Sequence, residues 1–243
     1  FGINTVNTAG KLKWTTNANI SFNRNEVVAL ADGIDRVYGP GGWHITKVGE
    51  PFGQFYGFLS DGVYLNQQDL DSSPQVPGRS TVGSIKLLDV NGDGIITNGG
   101  DFDDRAIMGS PFPDFTYGIT NTISYGNFDF SVVGTGSYGN ELLVRHLYST
   151  TNLDGVFNLL KDVKYRFRSV ENPGRGFYGT TVGGGNVTGI ERDWINDRFV
   201  ADASYFNIRN ITLGFTIPKV DKYFKSARVY GSIQNVHIFT KYW

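Results

Sequence analysis

Between Lys11 and Asn23 the chain alternates without a slip. Leu12, Trp14, Thr16, Ala18, Ile20 and Phe22 fall on one face of an extended segment, and Lys11, Lys13, Thr15, Asn17, Asn19, Ser21 and Asn23 on the other. A helix cannot keep that period, because its side chains return about every 3.6 residues, whereas side chains on a strand alternate faces. The run also reaches the length of about 9 to 11 residues with which a tilted strand crosses a bilayer. Such a strand can turn one side to lipid and the other to water.

The same pattern returns after a long irregular stretch. Phe115, Tyr117, Ile119, Ile123 and Tyr125 alternate with Asp114, Thr116, Gly118, Thr120, Thr122 and Ser124, and Asn121 breaks the apolar series. Gly126-Asn127 predicts a two-residue hairpin turn. Beyond it Phe128, Phe130, Val132 and Tyr138 alternate with Asp129, Ser131, Thr135 and Ser137, with Gly134 and Gly136 between them. Tyr205, Ile211, Leu213, Phe215 and Ile217 are expected on one face of a segment that Pro218 ends, and Val229, Gly231 and Ile233 on one face of the next. The reading is all-β, with antiparallel transmembrane strands near 11–23, 113–125, 127–138, 205–217 and 227–238.

The connections alternate between tight links and very long ones, far beyond the usual 2 to 6 or so residues of compact domains. Outer-membrane barrels are built this way, with short periplasmic turns and long extracellular loops. Gly126-Asn127 and Pro218 to Ser226 are therefore expected on the periplasmic side, and the loops 24–110 and 139–204 outside. Trp14, Phe22, Phe115, Tyr125, Phe128 and Tyr138 sit near strand ends, where interfacial aromatic girdles form. A soluble β-sandwich that binds glycan or a partner protein would alternate in the same way, and it is the alternative reading.

Composition narrows the function classes. The 243 residues hold 32 Gly, 18 Phe and 13 Tyr but no Cys, so thiolate metal sites and cysteine nucleophiles are excluded. The net charge is −1 and the basic residues are dispersed, which leaves no footprint for nucleic acid; the run Lys161 to Arg168 reads as a solvated face. No run of about 18 apolar residues marks a transmembrane helix, and the polar start Phe1 to Gly10 is no signal peptide. Five strands cannot close a barrel, which needs about 8 or more, so the chain is expected to be a fragment of a larger one.

Six stretches carry a family resemblance in order: Val48-Gly-Glu-Pro-Phe-Gly-Gln-Phe-Tyr-Gly57, Asp61-Gly-Val-Tyr64, Asp89-Val-Asn-Gly-Asp-Gly94, Met108-Gly-Ser-Pro-Phe-Pro-Asp-Phe-Thr-Tyr-Gly118, Tyr205-Phe-Asn-Ile-Arg-Asn-Ile-Thr-Leu-Gly214 and Arg228-Val-Tyr-Gly-Ser-Ile-Gln-Asn235. Together they resemble the C-terminal region of SusC/RagA-type TonB-linked outer-membrane transporters. The resemblance implies a large barrel with a plugged lumen, to which this chain contributes late strands. It also implies a SusD-like surface lipoprotein as partner, energy from the TonB complex, outer-membrane lipid around the strands, and a glycan or peptide as the imported solute. The plug, the TonB box and a closing strand are not among these residues.

Local chemistry offers one sharp motif. Asp89, Asn91 and Asp93 occupy alternate positions of a calcium loop, with Gly94 at the turn and the Ile95 carbonyl next in line. The closing Glu of such loops is replaced by Gly100, so Asp101, Asp103 or Asp104 would have to complete a Ca²⁺ shell. An Asx-rich turn without metal would use the same residues. His44, His146 and His237 lack any triad or metal spacing, and Asp103-Asp104 point apart in a loop, so no enzyme chemistry is expected. Gly183 to Gly185 read as flexible loop. The aromatic residues Trp43, Phe55, Tyr56, Tyr64, Phe177, Tyr178 and Trp194 could contact solute or partner, or fill the loops' own cores. Apolar spacing from Asn152 to Val170, through Val156, Leu159, Leu160, Val163 and Phe167, predicts a short amphipathic helix.

Overall fold

Six strands run up and down through one antiparallel sheet, and each sheet neighbour is also the next of these strands in the chain. The computed structural model describes residues 1–100, 103–152, 157–181, 190, 194–218 and 225–242. They form two units, the first from Phe1–Arg24, Phe112–Glu141 and Asp202–Trp243, the second from Asn25–Pro111 and Leu142–Ala201. The first unit holds the sheet: β1 Gly2–Ala9, β2 Leu12–Ser21, β3 Phe115–Tyr125, β4 Phe128–Tyr138, β5 Tyr205–Pro218 and β6 Ser226–Thr240. Its outer strands, β1 and β6, leave two open edges.

Register converts the one-strand pattern into a two-faced sheet. Leu12 stands opposite Tyr125, Tyr125 opposite Phe128, Phe128 opposite Phe215 and Phe215 opposite Val229. Because pairing keeps faces together, the apolar sets of all these strands share one side and the Asn, Ser and Thr sets the other. Gly10-Lys11 and Gly126-Asn127 make the short turns at one end. Gly126 alone of the second pair is left-handed, at φ +59°, which is the II′ pattern that suits the twist of a hairpin. The chain leaves the other end after β2 and after β4.

Two β-bulges separate the observed sheet from the sequence expectation. Strand β1 was not expected, because a register shift between Val6 and Thr8 moves Val6 to the polar side and hides the alternation of Ile3 and Thr5. In β5 the register slips between Ile208 and Asn210. Phe206 and Ile208 thereby join the apolar face with Ile211 and Leu213, while Tyr205, opposite Ser137, lies on the polar face rather than with Ile211. Asn235 on β6 takes up the same irregularity at φ +51°, a left-handed value that Asn tolerates better than most residues.

The second unit shows that the two long connections are not independent loops. Segment 25–111 supplies a four-stranded sheet of Arg36–Tyr38, His44–Lys47, Gln54–Gly57 and Ala106–Gly109, and a ribbon of Ser60–Val63 with Ile85–Leu87. Its core packs Phe58, Val63, Val76, Ile85, Leu87 and Ile96 against Phe167 and Ile190 of the other connection. Backbone bonds weld the same join: the Phe58 amide donates to the Ile195 carbonyl at 2.9 Å and the Asp197 amide to the Phe58 carbonyl at 3.0 Å. Asn196, fully buried, donates to the Trp194 carbonyl and accepts the Arg198 amide.

No α-helix forms over the described part of 152–170. A 3₁₀ turn covers Lys161–Tyr165, with extended backbone at Leu160 and Arg166 on either side. Phe157 and Leu159 stay exposed while Val163 and Phe167 are buried, so the apolar residues do not share one burying face. The Phe167 amide is committed to the Tyr178 carbonyl at 3.0 Å, and its ring packs over Gly83, where any Cβ would collide with it. Tertiary pairing therefore overrides the helical spacing. Val156, Gly183 to Gly185 and most of the link after Pro218 lie outside the described residues.

Candidate functional site

The broad apolar face of the six-stranded sheet is the feature with the plainest physical consequence. Tyr125, Leu213, Val229 and Ile233 are each more than half exposed, at 60%, 55%, 64% and 62%. A contiguous surface of this kind marks contact with lipid or protein. It is bounded by two aromatic rows. Phe128 and Phe215 pack 4.7 Å apart beside Tyr125 at the short-turn end. At the other end ring contacts link Phe1 to Phe22, Phe22 to Phe115 and Phe115 to Tyr138, and continue from Phe115 through Tyr117 and Phe206 to Phe239. From Phe115 to Tyr125 the strand measures about 34 Å, or about 26 Å along the normal at a tilt of about 40°, which matches the band of about 25 Å in outer-membrane barrels. Among the described residues no helix is long and apolar enough to cross a membrane.

Glycines make the upper row continuous. Tyr117 of β3 and Phe206 of β5 stack with planes 2° apart and centroids 6.0 Å apart, above the intervening β4. They can do so because β4 presents Gly134 and Gly136, where a Cβ would strike Phe206 and Tyr117 respectively. Asn121, the residue that breaks the apolar series, is paired: Trp14 Nε1 donates to its Oδ1 at 3.0 Å and Thr16 Oγ1 at 2.7 Å. A polar side chain in hydrocarbon needs such partners.

On the polar face, side chains bond to one another. Arg228 of β6 and Asp129 of β4 form a two-pronged ion pair at 2.5 and 3.0 Å across β5, in the gap left by Gly214. Asn210 donates to Ser232 at 2.8 Å and Thr212 donates to Asn210 at 2.7 Å. This is the chemistry of a wall that faces water rather than lipid.

In the second unit, the proposed calcium residues form a loop whose oxygens accept backbone amides. Asp89 takes Gly92 and Gly94 at 2.6 and 2.7 Å, Asn91 takes Asp93 at 2.9 Å and Asp93 takes Ile95 at 2.9 Å. These amides, Gly94 first, hold the Asp89 carboxyl below its ordinary pKa. Asp104 is fully buried and pins the loop, one oxygen accepting Val90 at 2.9 Å and Asn91 at 3.4 Å, the other Thr97 at 2.7 Å. Asp104 thus spends both oxygens on the loop's own amides. Asp101 lies outside the described residues, and among those described no group of three acidic or histidine side chains is placed to hold a metal.

Asp103 has a different task, missed by the sequence reading. Arg105 binds it in a fork, with N–O distances of 2.7, 2.9 and 3.0 Å, and the Tyr56 hydroxyl donates to it at 3.1 Å. The guanidinium lies 5.3 Å from the Tyr38 ring centre and 4.9 Å from that of Tyr56. Burial by itself would raise the Asp103 pKa, but the Arg105 bonds outweigh it and the carboxyl stands below its ordinary value. Tyr56 is pushed far above its ordinary value, by burial first and then by the Asp103 charge.

The aromatic candidates divide by burial. Phe55, Tyr56, Tyr64 and Tyr178 are buried and fill the unit's interior, the second of the two roles open to them from sequence. Tyr64 donates to the Pro74 carbonyl at 2.5 Å, and burial raises its pKa. Trp43 is half-buried with Arg145 4.2 Å above its ring, and Trp194 stacks on Phe58 at 4.7 Å. Both line a small cleft of about 50 Å³ together with Gly41, Gly42, Asn98 and Arg105. Its volume is close to that of one or two waters, too little for a sugar ring. Phe177 is the exposed member, at 41%.

No family model matches the chain. It is 31% identical over 257 residues to TonB-dependent receptor P26 of Formosa agariphila, covering 100% of this chain and 24% of that protein. It is 28% identical over 236 residues to TonB-dependent receptor SusC of Bacteroides thetaiotaomicron, covering 94% of this chain and 21% of that protein. The chain thus spans less than a quarter of the length of these curated relatives. Among solved structures, the RagAB peptide transporter superposes with a TM-score of 0.75 at 18% identity, over 99% of this chain and 25% of that one. RagAB in the 'open-open' state gives 0.71 at 19% identity, over 99% and 25%. The alternating sheet, its two aromatic rows and these likenesses make the chain a member of the SusC/RagA-type TonB-dependent receptors.

Proposed function

We propose that this chain is part of the barrel wall and the surface excursions of an outer-membrane nutrient importer, energised through the TonB complex and working with a SusD-like surface lipoprotein. The carrying observation is the six-stranded meander, apolar between two aromatic rows on one face and hydrogen-bonded on the other, with both long excursions leaving the same end. A sheet with two open edges is untenable in lipid, so the wall is completed by further strands of the same protein. The excursions lie outside the cell, because the long connections of such barrels do. The solute is a glycan or a peptide.

A self-standing sandwich is disfavoured by the same face, since a sandwich covers its apolar sides with a second sheet. The test is uptake by cells that carry the intact gene, a deletion of it, or the intact gene without functional TonB. Growth on one glycan or peptide source should be lost in both defective strains, and the polypeptide from the outer-membrane fraction should be several times the mass of this chain. Uptake indifferent to TonB would overturn the energised reading and leave a passive pore.

A further inference from the structure

In the hairpin 161–175, Lys161, Lys164, Arg166, Arg168 and Arg175 accompany two acids, Asp162 and Glu171, in a chain whose net charge is −1. We propose that this hairpin binds the clustered negative charge of an acidic glycan, one that carries carboxylate or sulfate groups. Two of the cations meet one ring, and a third is tied to the backbone beside them. The Arg175 guanidinium lies 3.6 Å from the Tyr165 ring centre and the Lys164 ammonium 4.6 Å from it, and Arg168 donates to the Lys164 carbonyl at 3.4 Å. All three side chains belong to exposed residues. Asp162 meets Arg175 at 3.4 Å, a long and solvent-exposed contact that leaves the cluster positive.

The Tyr165 hydroxyl reports that field: its pKa is lowered, first by a hydrogen bond from Lys164, then by the charges of Lys164 and Arg175. Cations held this close repel one another, and a dense anion relieves the repulsion while taking the planar fork of each arginine. Several backbone groups of the hairpin are already paired. Arg175 donates to the Tyr165 carbonyl, Arg168 to Asn172 and Phe167 to Tyr178, at 3.0, 3.1 and 3.0 Å. Those groups do not serve main-chain recognition of a peptide, which adds a strand through free backbone donors and acceptors. Recognition falls to the charged side chains, which suits an anion-bearing glycan.

The proposal rests on the importer reading for the origin of its ligand, but its test needs no transport. The full-length protein in detergent is titrated with fluorescent dextran sulfate and with uncharged dextran, at low and physiological salt. Dextran sulfate should bind and uncharged dextran should not, and the affinity should fall steeply with salt. Combined Lys164→Gln, Arg168→Gln and Arg175→Gln should weaken binding tenfold or more and flatten the salt dependence, with the thermal midpoint unchanged. Wild-type affinity in that variant overturns the site. Polyglutamate binding more tightly per charge than dextran sulfate overturns the glycan assignment. Loss of TonB-driven uptake with dextran sulfate binding intact separates the two questions, since it leaves this site standing.

Discussion

At the residue scale, position on one face or the other decides what a substitution does. Val132, near the middle of β4 on the apolar face, should tolerate no charge: Val132→Arg is expected to cost about 2–4 kcal/mol in bilayer refolding. Asn19→Arg on the polar face should cost less than about 1 kcal/mol. Equal losses at both positions would remove the lipid-facing assignment. Asp103 is a second single-residue lever. Its side chain is 12% exposed and that of Arg105 17%, so Asp103→Asn should lower stability by about 1.5–3 kcal/mol. Its folded pKa is depressed, so its contribution is complete above the ordinary value of 3.8 and is lost as pH falls through the folded value. An acid titration of the wild type should therefore show a loss of stability below about pH 4 that Asp103→Asn reduces. The 89–104 loop is held by amide bonds to Asp89 and Asp104, and addition of a calcium chelator should leave the thermal midpoint where it was. A midpoint that drops with chelator and returns with Ca²⁺ would instead make Asp89, Asn91 and Asp93 ligands.

At the scale of elements, the strands were legible and their irregularities were not. The alternation of Leu12 to Phe22, or of Phe115 to Tyr125, is a local property that a bulge does not disturb, and both segments form strands with the apolar sets on one face. The bulges at Val6/Thr8 and Ile208/Asn210 are set by the neighbouring strands, so β1 and the true face of Phe206 could not be read locally. The glycine notch of β4 is likewise a cross-strand device. Gly136→Ala would drive a Cβ into the Tyr117 ring and the Tyr205 carbonyl, at an expected cost of about 1–3 kcal/mol. Gly231→Ala, with open space around its Cβ, should be neutral in the same assay. If the two behave alike, the notch has no structural role.

At the scale of the molecule, the two long connections make one body. Phe167, buried at 4% exposure among residues of the first connection, joins them. Phe167→Ala is expected to cost about 3–5 kcal/mol and to open protease sites in both 25–111 and 142–201 at once. Cleavage confined to 142–201 would mean that the connections fold separately.

The sequence by itself determined the two-faced strands, the tight Gly126-Asn127 turn and the family, because period, turn chemistry and motif order are written along the chain. It suggested the 89–95 loop, but not which oxygens were already taken by amides. It left Tyr56, Tyr64 and Tyr178 between surface contact and loop core, and packing put them inside. Tertiary structure alone decided the bulges, the stacking of Tyr117 on Phe206 over Gly136, the Asp103–Arg105 fork and the joining of the two connections. Each of these depends on residues far apart in the chain meeting at a fixed distance, and such meetings carry no local period.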